Sequence, residues 1–214
     1  MYAGADGRQE VVCEGYRIDV VRDGELIEIQ HGSLAAIRDK VRRLLTRHRV
    51  RVIKPIIADK TLVKLDRRGG QEVERRRSPK HGNLISLFDE LVYFTTVFPH
   101  ERLSLEVPLV NVEERRYPGR GKRRRRTKDA FQLEDQRLLG VVATHTFASA
   151  GDLRRMLPAR LPSPFHTGQL AGRMNTQRWV AQRIAYCLRQ TGVTEVAGKQ
   201  GNALLYRFAQ VQAA

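Results

Sequence analysis

Tyr16–Gln30 reads YRIDVVRDGELIEIQ, two apolar runs on either side of Asp23-Gly24. Asp-Gly between alternating apolar residues signals a two-residue hairpin turn, because both positions tolerate positive φ. A turn centred there sets Asp19 across from Glu28, Ile18 across from Ile29 and Val20 across from Ile27. Side chains alternate along a strand, so Ile18, Val20, Ile27 and Ile29 share one face while Asp19, Glu28 and Gln30 share the other. Two carboxylates facing each other across a ladder stand about 5 Å apart at Cβ and repel. A purely structural hairpin gains by replacing one of them. A divalent cation turns the same repulsion into ligation, since Mg²⁺ is held by one or two carboxylates together with waters and phosphate oxygens.

Asp on one strand followed by Glu-x-Lys on the next resembles the metal-binding core of the PD-(D/E)xK nuclease superfamily. Here the pattern is Asp19, then Glu28-Ile29-Gln30, with Gln where Lys is usual. Some restriction enzymes of that superfamily carry Gln at this place and remain active. The resemblance implies that Asp19 and Glu28 bind Mg²⁺ or Mn²⁺, that the carbonyl of Ile29 completes the shell, and that Gln30 orients the attacking water. Lys54 and Lys80 are candidates for the missing cation, and His31 adjoins the same edge. Members usually have a helix before the Asp strand. Too few residues precede Tyr16 for one, which leaves Glu10 or Glu14 as the only substitutes for its acid.

Beyond the hairpin, Ser33 can cap a helix running to about His48, with Leu34, Ile37, Val41, Leu44 and Leu45 at helical spacing. Arg49–Ile57 reads as a strand. Strand, helix, strand implies a crossover and a parallel pairing in a mixed sheet, an order the nuclease core also requires. Thr61–Leu65 and Gln71–Arg76 form a second hairpin through Arg68-Gly69-Gly70, followed by a cation-rich loop, Arg75–Gly82. Leu84–Phe94 is helical by its apolar spacing. Leu103–Val112 alternates as a strand, and Pro108 places it at an edge or ends it there. Arg115–Lys128 holds nine cations and no acid, which reads as a mobile, phosphate-binding arm. Leu133–His145 reads as a helix.

Asp152–Phe208 has nine Lys or Arg against two Asp or Glu. A short helix at Leu153–Leu157 stops at Pro158. Thr167 caps a helix to Met174, and a longer helix, Gln177–Gln190, ends at Gly192 as a C′ glycine. Val193–Ala197 and Ala203–Phe208 are strands around Gly198–Asn202. This order resembles the winged helix-turn-helix family, in which the long helix enters the major groove and the wing touches the backbone. Leu170, Val180, Ile184 and Leu188 fit a buried stripe, with Trp179 as core or packing contact. Gln177, Arg178, Gln182 and Arg183 point outward, residue types suited to reading base edges, with Lys199 and Gln200 at the wing tip.

Lys and Arg number 39 against 23 Asp and Glu, a net charge of +16 that favours a polyanionic partner. Cys13 and Cys187 lie far apart without zinc spacing and read as reduced thiols of a cytoplasmic protein. There is no apolar run of bilayer length, no signal-peptide pattern and no Gly-rich phosphate loop. The expected fold is α/β: a mixed-sheet, restriction-endonuclease-like domain over 1–128 with its basic arm at 115–128, a helical connector over 129–150, and a small α+β winged helix over 151–214. The full length also resembles a group of bacterial proteins with this hairpin and a C-terminal winged helix. The expected function is Mg-dependent hydrolysis of nucleic-acid phosphodiesters. Double-stranded DNA is the foremost partner, bound by Lys80, Arg123, Arg124, Gln177, Arg178, Gln182, Arg183 and Lys199. No membrane is involved, and the oligomeric state, a dimer included, stays open. The alternative is a non-catalytic DNA-binding regulator on a degenerate nuclease scaffold. A third is an RNA-binding or mobile-element partner.

Overall fold

The computed structural model describes residues 6–119 and 131–209. The chain is mixed α/β, with a large mixed sheet and few helices. It divides into two compact units: Met1–Lys54, Leu87–Glu106 and His145–Ala214 make the first, Pro55–Ser86 and Val107–Thr144 the second. No helix among the described residues is long and apolar enough to cross a membrane.

The first unit starts with an antiparallel meander of β1 (Arg8–Cys13), β2 (Tyr16–Arg22) and β3 (Glu25–Ile29). Asp23 and Gly24 have φ of 52° and 75°, as a primed two-residue turn requires, and Arg22↔Glu25, Val21↔Leu26 and Val20↔Ile27 pair across it. Ile18, Val20, Ile27 and Ile53 are buried, so the apolar pattern sets the register. Ser33 caps the following turn, its hydroxyl accepting from the Ala35 N–H at 3.2 Å. A 3-10 turn over Leu34–Ile37 and α1 (Arg38–Leu44) bury Leu34, Val41 and Leu44. The chain then crosses to β4 (Arg49–Ile53), parallel to β3 with Glu28↔Val52 in register.

The rest of this unit comes from later in the chain. Residues 103–106 open β7 (Leu103–Pro118) and pair in parallel with β4. α2 (Leu87–Leu91) buries Leu87, Phe88 and Leu91, with Phe94 and Phe98 just beyond. The C-terminal elements are α3 (Ala150–Arg155), α4 (Thr167–Arg173), α5 (Arg178–Gln190), β9 (Thr194–Gln200) and β10 (Ala203–Phe208). Phe165 exchanges two backbone hydrogen bonds with Tyr206, of 2.8 and 2.7 Å, which ties the α3–α4 connection to the hairpin. Leu170, Ile184, Cys187 and Leu188 are buried. Gly192 has φ of +76°, two residues past the end of α5, where a left-handed residue closes a helix. The α4 cap is His166 and not Thr167: its ring nitrogen accepts from the Gly168 and Gln169 N–H groups.

In the second unit β5 (Ile56–Leu65) pairs antiparallel with β6 (Glu72–Arg77) and parallel with the remainder of β7. β8 (Phe131–Phe147) pairs with β7.

The structure corrects several expectations. The connector expected as helical over 129–150 is strand from Phe131 to Phe147, β8. Its Leu133, Leu138, Leu139 and Val142 are exposed, so there is no buried helical stripe, and its Val and Thr residues suit a strand. The chain passes between the two compact units at Lys54-Pro55, at Ser86-Leu87 and within β7 and β8. Pro108 lies inside β7, neither at an edge nor at an end. Pairing with β4 stops at Glu106 and pairing with β5 begins at Leu109, so Pro108 takes part in neither of these two ladders. The arm at 115–128 is β strand as far as Pro118, and Arg123 and Arg124 lie outside the described residues.

Candidate metal centre and nucleic-acid interface

The β2–β3 ladder is paired from Arg22↔Glu25 to Val20↔Ile27. One step further the Ile29 N–H donates to Asp19 Oδ2 at 2.7 Å. Past this point β2 stays with β1 as far as Tyr16, and β3 stays with β4 as far as Ile29. Asp19 and Glu28 stand at the fork.

Their surroundings differ. Asp19 is exposed, while Glu28 is 5% exposed. The Lys40 ammonium, brought in by α1, lies 2.5 Å from Glu28 Oε1 and donates to the Arg17 carbonyl at 2.5 Å. Glu28 Oε1 is nonetheless a buried oxygen with no well-directed hydrogen bond, so the Lys40 contact is charge pairing more than a hydrogen bond. Burial pushes the Glu28 carboxyl above its ordinary range. The Asp19 charge adds to that rise, against Lys40 and the Asp19 backbone N–H, which favour the ionised form.

Among the described residues no group of three or more His, Cys, Asp and Glu side chains is placed to hold a metal ion. A cation at this fork would therefore take Asp19 and Glu28 from the protein and fill its shell with waters or phosphate oxygens, as Mg²⁺ commonly does. The exposed Asp19 carboxylate and the Glu28 carboxylate suit that donor set, with Glu28 Oε1 shared with the Lys40 ammonium.

The other residues expected here are engaged elsewhere. The Gln30 amide donates to the Ser33 carbonyl at 2.8 Å, which holds it to its own loop. Lys54 is 5% exposed; it donates to the His31 and Gly32 carbonyls at 3.1 and 2.5 Å and pairs with Glu90 at 3.5 Å. Burial lowers its pKa, opposed by Glu90. Lys54 fastens the 31–32 turn. Lys40 is the cation at the Glu28 carboxylate, although its place in the sequence suggests only the solvated side of a helix. Its helical spacing carries no sign of the contact, which depends on how α1 lies over the sheet.

In α5, Gln177 precedes the first turn and is exposed, as are Arg178 and Gln182. Arg183 pairs with Asp89 and stands 5.0 Å over the Trp179 ring. Trp179 is 57% exposed and is not core. Lys199 and Gln200 belong to β9, opposite Leu204 and Ala203, and the turn itself is Gly201-Asn202. Lys80 is exposed in the second unit.

The family model described as a domain of unknown function, DUF8091, matches residues 1–148. An uncharacterized protein of Treponema pallidum (strain Nichols) is 31% identical over 202 residues, 94% of this chain and 78% of that protein. No solved structure matches the chain.

Proposed function

We propose that this chain, which belongs to the DUF8091 family, is a nucleic-acid-binding protein with a phosphodiester-hydrolysing site at the Asp19–Glu28 fork. The observation that carries the reading is the Lys40 ammonium beside Glu28, which supplies the third charge of an Asp, Glu, Lys set that Gln30 leaves incomplete. The strand order supports it: an antiparallel meander, then a helical crossover to a parallel strand, is the order of the PD-(D/E)xK core. β1 stands where that core usually has a helix.

Asp19 and Glu28 would hold Mg²⁺ or Mn²⁺, with the Ile29 carbonyl as a third ligand. Such an ion supplies Lewis acidity and a hydroxide-like water near neutral pH. Lys40 favours the ionised form of Glu28 against its burial and would set a positive charge where a phosphate oxygen gains charge. Gln30, anchored to Ser33, has a fixed amide with which to orient a water.

The helix, strand bridge, two helices and hairpin of the C-terminal segment support a winged-helix reading, with Gln177, Arg178 and Gln182 facing DNA and Lys199 touching its backbone. Lys80, Arg123 and Arg124 are proposed phosphate contacts, so affinity should fall steeply with salt.

The second reading, a non-catalytic DNA-binding protein, is favoured by the same Lys40 contact, which partly neutralises the acids without any ion. Plasmid DNA incubated with Mg²⁺ or Mn²⁺ at low salt decides between them. Cleavage by the wild type that Asp19→Asn abolishes, with gel-shift affinity retained, supports the nuclease. Intact plasmid across pH with retained DNA binding leaves the second reading.

A further inference from the structure

The second unit holds a groove of about 540 Å³, within the size range of small-ligand sites. Its rim is the loop Ser78-Pro79-Lys80-His81-Gly82, and the loop is built, not draped. The Ser78 N–H donates to the Lys60 carbonyl at 2.8 Å, and the Gly82 N–H donates to the Ile57 and Ala58 carbonyls at 3.1 and 3.2 Å. Between these anchors the Ser78 hydroxyl accepts from the Lys80 N–H at 3.2 Å, and Pro79 limits the backbone further. A Cβ at Gly82 would collide with the Ile57 carbonyl oxygen, so the loop reaches this depth only with glycine there.

Three cations line the groove: Lys60, Lys80 and Arg116. Lys60 and Arg116 share one carboxylate, Glu114, which Lys60 meets at 2.5 Å on one oxygen while Arg116 meets the other. Glu114 is largely buried and holds both cations from one side, leaving them donors to spare. Lys80 has no ion-pair partner among the described residues. The groove thus carries an excess of positive charge on fixed supports, over an apolar surface of Ile57, Leu62 and Pro79. His81 is paired with Asp59 at 2.6 Å and adds little to that excess.

We infer that this groove binds the phosphate of a nucleotide, with Lys60, Lys80 and Arg116 on the phosphoryl oxygens and the sugar or base against Ile57, Leu62 and Pro79. A lone inorganic anion would leave most of the volume and the apolar wall unused. The ligand is a free mononucleotide or the 5′-phosphorylated end of a strand; the chemistry is the same. The inference uses neither Asp19 nor Glu28, and a chain that cleaves nothing could still hold this ligand.

The test is competition against a fluorescent N-methylanthraniloyl nucleoside 5′-monophosphate, using the full chain in EDTA at near-physiological salt. The competitors are AMP, adenosine, inorganic phosphate, sulfate, and a trinucleotide with and without a 5′-phosphate. Displacement by AMP at concentrations where adenosine and sulfate do nothing supports the groove and a free ligand. Displacement mainly by the 5′-phosphorylated trinucleotide supports a strand end. Lys80→Gln, an exposed position that should leave the melting curve unchanged, should weaken binding about tenfold, as loss of a charge-assisted contact does. Gly82→Ala should abolish it by lifting the loop. Equal competition by sulfate and AMP, indifference to the 5′-phosphate, or unchanged affinity in Lys80→Gln overturns the inference. Plasmid cleavage is read separately, so the two proposals can fail independently.

Discussion

Lys40 Nζ stands 2.5 Å from Glu28 Oε1, joining a helix to the strand it crosses over. Burial raises the Glu28 pKa above its ordinary 4.5. The folded state therefore binds this proton more tightly than the unfolded chain does. Glu28 supports folding below the ordinary value, and that support is lost as pH rises through the raised folded value. Glu28→Gln lacks the dependence. In urea unfolding from about pH 4 to about pH 7, wild-type stability should fall relative to Glu28→Gln as pH rises. Lys40→Met should destabilise at neutral pH instead, by about 3 kcal/mol, because it leaves a buried carboxylate without its counter-charge.

Asp19 carries two separable roles, an acceptor for the Ile29 N–H and a charge at the fork. Asp19→Asn keeps an acceptor oxygen and removes the charge. Its unfolding midpoint should stay near wild type while metal-dependent cleavage disappears. Asp19→Ala loses both and should be about 1 kcal/mol less stable as well, the usual cost of an unmade hydrogen bond. Equal cleavage by Asp19→Asn and wild type would remove Asp19 from the chemistry.

Trp179 is the single tryptophan of the chain, so its emission reports on one place. More than half exposed, with Arg183 over its ring, it should emit like a hydrated indole and be quenched readily by acrylamide. Duplex DNA should shift the emission to the blue and slow the quenching. Arg178→Ala should weaken the DNA effect several-fold without altering the spectrum of the free protein. A spectrum indifferent to saturating DNA places the contact away from α5.

The two thiols should separate cleanly. Burial pushes Cys187 up to about 12, against the nearby Arg183, whereas Cys13 is partly exposed beside His48 at 3.6 Å. With a disulfide-exchange reagent at about pH 8, one thiol should react in the native protein and two in denaturant. Rapid native labelling of Cys187, read by mass spectrometry, contradicts the packing of α5.

The hairpin at Asp23-Gly24 is legible in the sequence because turn chemistry and alternation agree there, and its register follows from burying Val20 and Ile27. The crossover to β4 and the helix–helix–hairpin order at the C-terminus are legible for similar reasons. β8 is not, because the spacing of Leu133, Leu138 and Val142 can be laid on a helix as readily as on a strand. Only the partner strand β7 decides between them. Lys54 resembles a free cation because sequence says nothing of the His31 and Gly32 carbonyls it serves. Lys40 escapes notice for the converse reason, since any of the helix cations could have met Glu28. The groove under Gly82 is hidden too, because a glycine in a polar loop looks like slack until Ile57 is found against it.

β8 leaves one consequence for anyone handling this protein. Among the described residues it pairs only with β7, and Leu138, Leu139 and Val142 are exposed along it. An uncovered rim of this kind invites a strand from another copy. Mutual repulsion at a net charge of +16 opposes such an encounter, and salt shortens its range from about 10 Å at 0.1 M to about 3 Å at 1 M. The salt that frees the chain from a polyanion would thus also let copies adhere, which confines clean purification to a middle band of ionic strength.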